Sequence, residues 1–107
     1  MSRDERWMFY ALGLARLAAR RGEVPIGAVV VRGESILGQG HDGKEIRRAP
    51  QAHAEMTALG HAARRHGDWR IDGAELFVTL EPCPMCAGAI VHARIARLVF
   101  AAANPRW

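Results

Sequence analysis

The sequence predicts an α/β sandwich with a mixed sheet, in the element order α-β-β-α-β-α-β. Two observations lead there. Apolar residues recur at helical spacing in three segments, and short apolar runs stand between them. In the second half of the chain, strands alternate with helices, an arrangement whose stable packing buries both faces of a sheet. At 107 residues the chain has the length of one domain, residues 1–107, with room for a single modest core.

The first helix is expected over residues 4–20, with Met8, Ala11, Leu12, Ala15, Ala18 and Ala19 turned inward and Gly22 stopping it. Pro25 opens an apolar, β-branched run, residues 26–31, which reads as a buried strand. Gly33-Glu34 turns the chain into a short second strand, residues 35–38, giving a hairpin. Residues 39–50, with Gly40, Gly43 and Pro50, read as a polar loop. A second helix follows Pro50 and runs to His66, with Met56, Leu59 and Ala63 inward. Residues 76–80 form a third strand, broken by Pro82-Cys83-Pro84. Pro84 suits the first turn of a third helix that runs to Ala93, and residues 97–101 form the last strand.

Composition excludes several classes. Hydrophobic residues make up 50% and charged residues 24%, which is a globular balance and not a disordered one. The apolar runs are far too short to span a bilayer. The N-terminus shows no apolar stretch followed by a small-residue cleavage site, so a cytoplasmic location is the default expectation. Two cysteines in one C-x-x-C make no disulfide framework. Net charge is +4, and arginine supplies 14 of the 15 basic residues. No acid follows Glu81, whereas Arg94, Arg97 and Arg106 do, so the C-terminal stretch is expected to be a cationic surface suited to nucleic acid or simply to solubility.

Gly38-Gln39-Gly40-His41-Asp42-Gly43 matches G-x-G-x-x-G, but a dinucleotide fingerprint must open a helix and have an acid about 20 residues on. Neither condition is met, and the glycines read as turn residues. A stronger signal has two parts. His53-Ala54-Glu55 stands at the start of the second helix, and Pro82-Cys83-Pro84-Met85-Cys86 stands at the start of the third, just after a strand. His53, Cys83 and Cys86 offer three borderline or soft ligands, which leaves the fourth position of a tetrahedral Zn²⁺ open, the catalytic pattern. Cys83 at the cap and Cys86 one turn in can both point at a metal near the helix N-terminus, where the dipole favours thiolates. Glu55, two residues from His53, would fall on a different side of an ideal helix, which suits a proton carrier better than a fourth ligand. Taken alone, C-x-x-C also fits a redox pair, and His41, His61, His66 or His92 could complete a closed structural zinc site. The conjunction of H-x-E with P-C-x-x-C matches the known signature of the zinc nucleobase deaminases.

The likeness extends further. Glu23-Val24-Pro25-Ile26-Gly27-Ala28-Val29, then Ala52-His53-Ala54-Glu55, then Thr79-Leu80-Glu81-Pro82-Cys83-Pro84-Met85-Cys86-Ala87-Gly88-Ala89-Ile90, then Arg94-Ile95 and Leu98-Val99-Phe100 resemble the bacterial tRNA adenosine deaminases. These belong to the zinc-dependent cytidine/deoxycytidylate deaminase superfamily. The resemblance runs from about Trp7 to Ala101. It implies a three-layer α/β/α cytidine-deaminase-like sandwich, Zn²⁺ held by His53, Cys83 and Cys86, and Glu55 as general acid/base. It implies substrate contacts at Asp42, Ala54, Pro82 and Arg94, and homodimers acting on tRNA or another single-stranded nucleic acid. The implied activity is hydrolytic conversion of the wobble adenosine to inosine. The alternatives are the same chemistry on guanine, cytosine or a base in single-stranded DNA, and, from a different class, a non-catalytic zinc or redox module.

Two features depart from the family pattern. Its usual asparagine and Asp-Pro are replaced here by Asp42 and by Ala49-Pro50, and its C-terminal helices have no counterpart before Trp107. An ionised aspartate accepts hydrogen bonds but cannot donate them. If Asp42 lines the base pocket, Asp42→Asn is therefore expected to improve turnover of a wobble-adenosine hairpin. The plainer reading of Asp42 is a turn residue beside Gly43.

Overall fold

The computed structural model describes residues 1–106. It contains α1 (Arg3–Arg20), β1 (Gly27–Arg32), β2 (Ser35–His41), α2 (Lys44–Arg47), α3 (Ala54–His66), β3 (Glu75–Leu80), α4 (Pro84–His92) and β4 (Arg97–Ala102). The sheet order is β2-β1-β3-β4, with β1 antiparallel to both neighbours and β3 parallel to β4 across the α4 connection. The sheet is mixed and lies between helices on both faces, as expected.

Strand alternation sorts the core into two halves. Ala28, Val30, Leu76 and Val78 face α3 and α4, where they meet Ala58, Leu59, Ala62 and Ile90. Val29, Val31 and Phe77 face α1, where they meet Trp7 and Ala11. Ser2 caps α1 through a full capping box with Glu5. The buried stripe of α1 is Trp7, Ala11, Ala15 and Ala18, whereas Leu12 and Ala19 are exposed. The apolar spacing of α1 thus implies too wide a face and misses Trp7.

The narrow stripe has a steric cause. A Cβ on Gly27 would meet Ala11 O at 2.1 Å and Ala15 N at 2.7 Å, so α1 rests its alanine face directly on the β1 backbone. The same device holds α3. A Cβ on Gly38 would meet Ala58 O at 2.3 Å and Ala62 N at 2.6 Å. Gly38 and Gly40 therefore sit inside β2 as close-approach positions and not as turn residues. Gly38→Ala is expected to cost at least about 1–3 kcal/mol, because the obstruction is backbone and cannot rotate away. Gly13→Ala, on a helix position with open space around the new Cβ, should be neutral or stabilising. Urea midpoints for the two variants measure this, and equal stability for Gly38→Ala and the parent would contradict the contact.

Residues 39–50 are more ordered than a polar loop. β2 continues to His41, and the short α2 follows. Its free N–H groups are satisfied from a distance, since the buried Glu23 carboxylate accepts from Glu45 N at 3.0 Å and from Ile46 N at 2.7 Å. A cap supplied from 22 residues away leaves no local sequence signal.

Arg97, expected on a nucleic-acid surface, is committed elsewhere. It donates to Asp4 Oδ1 at 2.8 Å and to Glu75 Oε2 at 2.9 Å, while Arg3 reaches Glu75 at 2.8 Å, joining α1 to β3 and β4. Arg97 holds the Asp4 carboxyl below its ordinary range, and Arg3 chiefly does the same for Glu75. Groups with depressed folded-state pKa values stabilise above their unfolded values and lose that contribution as pH falls through the folded ones. Melting temperature should therefore fall as pH drops below about 4, and Arg97→Ala should flatten that fall. An unchanged acid limb in Arg97→Ala would show that the network contributes nothing.

Candidate active site

Two helix N-termini converge at the end of β3. His53 is the N-cap of α3, with φ −85° and ψ 153°, and Cys83 is the N-cap of α4, with φ −69° and ψ 169°. Neither side chain is used for capping, so both are left to face the space between the helices. Pro84 occupies the first turn of α4, and Cys86 follows inside it. Both helix dipoles point their positive ends at the site, which favours thiolate and carboxylate groups there.

His53 Nδ1 lies 3.6 Å from Cys83 Sγ and 3.4 Å from Cys86 Sγ. All three donor atoms fall within 4.8 Å of one another. Bonds of about 2.3 Å to sulfur and about 2.0–2.1 Å to nitrogen at a tetrahedral angle put N and S about 3.6 Å apart. The observed separations fit that edge, and the donor types fit zinc. Burial and the Lys44 charge lower the His53 pKa, which keeps the imidazole neutral with a lone pair available. Burial raises the Cys86 thiol far above its ordinary value, with the Glu55 charge and Cys83 adding to it. A thiolate there needs a cation beside it.

Glu55 shares the site with His53 despite the two-residue spacing. Helical geometry does not apply to an N-cap residue, whose extended backbone lies outside the helix, so both side chains reach one cavity. Glu55 is only 4% exposed, and burial raises its pKa. The cavity is about 250 Å³ and is lined by His53, Glu55 and Cys83, by the apolar Val24, Ile26 and Leu80, and by Lys44, Glu81, Asn104 and Arg106. Glu81 Oε1 accepts from Asn104 N at 2.9 Å, holding the segment after β4 against the site.

Four residues are expected to contact substrate. Asp42, Ala54, Pro82 and Arg94 are not among the described residues that line the cavity. Asp42 is buried and bonded to Lys44, Ala54 and Pro82 are buried, and Arg94 sits past the far end of α4. There Arg94 takes a left-handed φ of 64°, donates to Val91 O at 3.1 Å and stands 5.6 Å from the Trp69 ring. Sequence reasoning missed Lys44, Glu81 and Asn104. Only Lys44 carried a signal, as the one lysine among the 15 basic residues.

A second basic surface lies apart from the C-terminal stretch. Three neighbouring hollows across α1, β2 and α3 are bordered by Arg21, His41, Arg47, His61, Arg64 and Arg65, and the described residues lining them include no acid. Arg47 belongs to α2, whose first residue, Lys44, lines the cavity that holds Glu55.

Residues 2–107 match the model of the MafB19-like deaminases. The tRNA-specific adenosine deaminase of Bacillus subtilis is 46% identical over 106 residues, covering 99% of this chain and 66% of the relative. That of Haemophilus influenzae is 48% identical over 102 residues, covering 94% of this chain and 59% of the relative. The chain thus spans about three-fifths to two-thirds of the length of these curated relatives. A chain solved in structural studies of A-to-I editing by tRNA:A34 deaminases at the wobble position superposes with a TM-score of 0.93 at 41% identity, covering 98% of this chain and 81% of that one. The guanine deaminase of Bacillus subtilis superposes with a TM-score of 0.91 at 36% identity, covering 96% of this chain and 66% of that one.

Proposed function

The chain belongs to the MafB19-like deaminase family, and from that premise we propose that it converts adenosine to inosine by hydrolysis in the anticodon loop of tRNA. One observation carries the reading: the buried Glu55 carboxyl shares a small cavity with His53 and Cys83, two members of a donor set that Cys86 completes. We assign those three residues to Zn²⁺ and Glu55 to proton transfer, within residues 1–107 acting as one domain. Zinc, when bound, supplies positive charge that lowers the pKa of a water to about 7. Glu55 takes a proton from the attacking water and gives it to the ring nitrogen beside the reacting carbon. It then helps protonate the amine, which leaves as ammonia while the base keeps the water oxygen. Its raised pKa brings it closer to neutrality, where one group can both accept and release a proton. Val24, Ile26 and Leu80 give the base apolar walls and exclude bulk water. A cavity of this size admits one base out of its stack, which favours a loop over a duplex.

The polymer is favoured over a free base by the acid-free basic hollows that begin beside the cavity. Binding of an anticodon hairpin should weaken steeply with salt. Arg47→Gln with Arg64→Gln should reduce the log–log slope by about 0.7 for each phosphate that is no longer neutralised. Arg97→Gln should leave the slope unchanged, since its charge is already offset by Asp4 and Glu75. A slope that responds to Arg97 and not to Arg47 and Arg64 would place the nucleic acid on the other side of the molecule.

A second copy of the chain is the proposed protein partner. The apolar hollow between α3 and α4, with Met56, Leu59, Trp69 and Ala89 on its wall, is the face available to it, and sedimentation reads the stoichiometry. No helix among the described residues is long and apolar enough to cross a membrane, and a tRNA substrate would place the enzyme in the cytoplasm. Guanine is the second reading, on the strength of the guanine deaminase superposition. Incubation with an anticodon hairpin, single-stranded DNA and free bases, followed by mass spectrometry of the nucleosides, decides between them. Inosine from the hairpin supports the proposal. Xanthine from guanine alone, or uracil from cytosine alone, overturns the substrate assignment.

A further inference from the structure

A chain that uses arginine at 14 of its 15 basic positions uses lysine once, and that lysine lines the catalytic cavity. Lys44 is held there by Asp42. The Lys44 ammonium is ion-paired with Asp42 Oδ2, and Asp42 Oδ1 accepts from Lys44 N at 3.1 Å, closing a turn at the start of α2. Asp42 N donates to Ile26 O at 3.0 Å, which ties this turn to the segment before β1. The Asp42 side chain is 1% exposed, against 31% for Lys44. The carboxylate is therefore a buried anchor, and the ammonium is the group presented to a ligand.

The pair has a definite electrostatic character. At both His53 and Glu55 the Lys44 charge acts in one direction and the Asp42 charge in the other. Seen from the cavity, the two form a dipole with its N–H end outward and little net charge. An ammonium has three donors, so it can engage Asp42 and still offer donors to a ligand. Lysine delivers that as a compact, strongly hydrated point charge.

We propose that Lys44, positioned by Asp42, is a specificity-determining donor that bonds a neutral acceptor of the bound nucleoside, a ring nitrogen or sugar oxygen, and so sets the base against Glu55. The proposal rests on the deaminase reading of this cavity. It reverses the expectation for Asp42→Asn. Loss of the anchor frees Lys44 and unbalances its charge, so kcat/KM falls instead of rising.

Lys44→Met alone leaves a buried carboxylate unpaired and can fail to fold, so the informative variants are doubles. Asp42→Asn with Lys44→Met removes the donor and the buried charge together. Asp42→Asn with Lys44→Gln replaces the ion pair by neutral amides and keeps a donor. The assays use zinc-loaded protein and whichever base of the panel the wild type converts. The Met double should raise KM about tenfold to hundredfold with kcat changed far less, and the Gln double should recover most of that loss. Hairpins carrying 3-deaza, 7-deaza or 2′-deoxy substitutions at the target nucleoside locate the acceptor. One of them should weaken the wild type and leave the Met double unaffected, a coupling that a structural role for Lys44 would not produce. Equal sensitivity of both proteins to all three analogues, or an unchanged KM in the Met double, overturns the proposal while the deaminase reading stands. A wild type that converts no base overturns both.

Discussion

Glu55→Gln should lower kcat by about 10²–10⁴-fold while leaving the zinc content unchanged. The amide has the shape of the carboxylate but cannot take a proton from water and return it to the base. The retained metal follows from geometry, since the mutually close donor atoms are those of His53, Cys83 and Cys86, without Glu55. Folding should hold as well, because the substitution removes a buried acid whose charged form is already disfavoured by burial. Single-turnover assays with metal analysis on the same preparation test both halves. Near-wild-type turnover would remove Glu55 from the chemistry, and loss of zinc would move it into the donor set.

Cys86→Ser has the second large effect, on metal binding and on stability. Cys86 is fully buried at the N-terminus of α4, and its thiol is held protonated by burial until a cation compensates the thiolate. A ligand that binds the folded state alone stabilises it, by about 2.7 kcal/mol when present at 100 times its dissociation constant. The wild type should therefore melt higher as zinc is added, and Cys86→Ser should lose that increment together with stoichiometric zinc. The zinc-dependent increment, rather than the melting temperature itself, isolates the metal from any packing cost of serine. Full zinc occupancy in Cys86→Ser would contradict the three-donor assignment.

Both variants rest on residues that are legible in the sequence. H-x-E and P-C-x-x-C, each at a predicted helix start, lead to His53, Glu55, Cys83 and Cys86 because short-range spacing and capping position are local properties. The α/β alternation is local too, and it leads to the mixed sheet. What is not legible depends on distant partners. The capping of α2 comes from Glu23, the steric role of Gly38 comes from the backbone of α3, and the neutralisation of Arg97 comes from Asp4 at the other end of the chain. Counting acids along the C-terminal stretch could not find that last pair. Asp42 is the most instructive case. Its residue type points to an altered pocket, but only the fold shows that the carboxylate is buried and that Lys44 occupies the wall.

The most direct test of the account is deamination of an anticodon hairpin by zinc-loaded protein in heavy-oxygen water, with the released nucleosides and ammonia quantified together. Inosine carrying one solvent-derived oxygen at C6 is expected, with ammonia in equal amount, and Glu55→Gln should form both products about 10²–10⁴-fold more slowly. Zinc-loaded wild type that releases no ammonia from the hairpin, from single-stranded DNA or from free bases would contradict it.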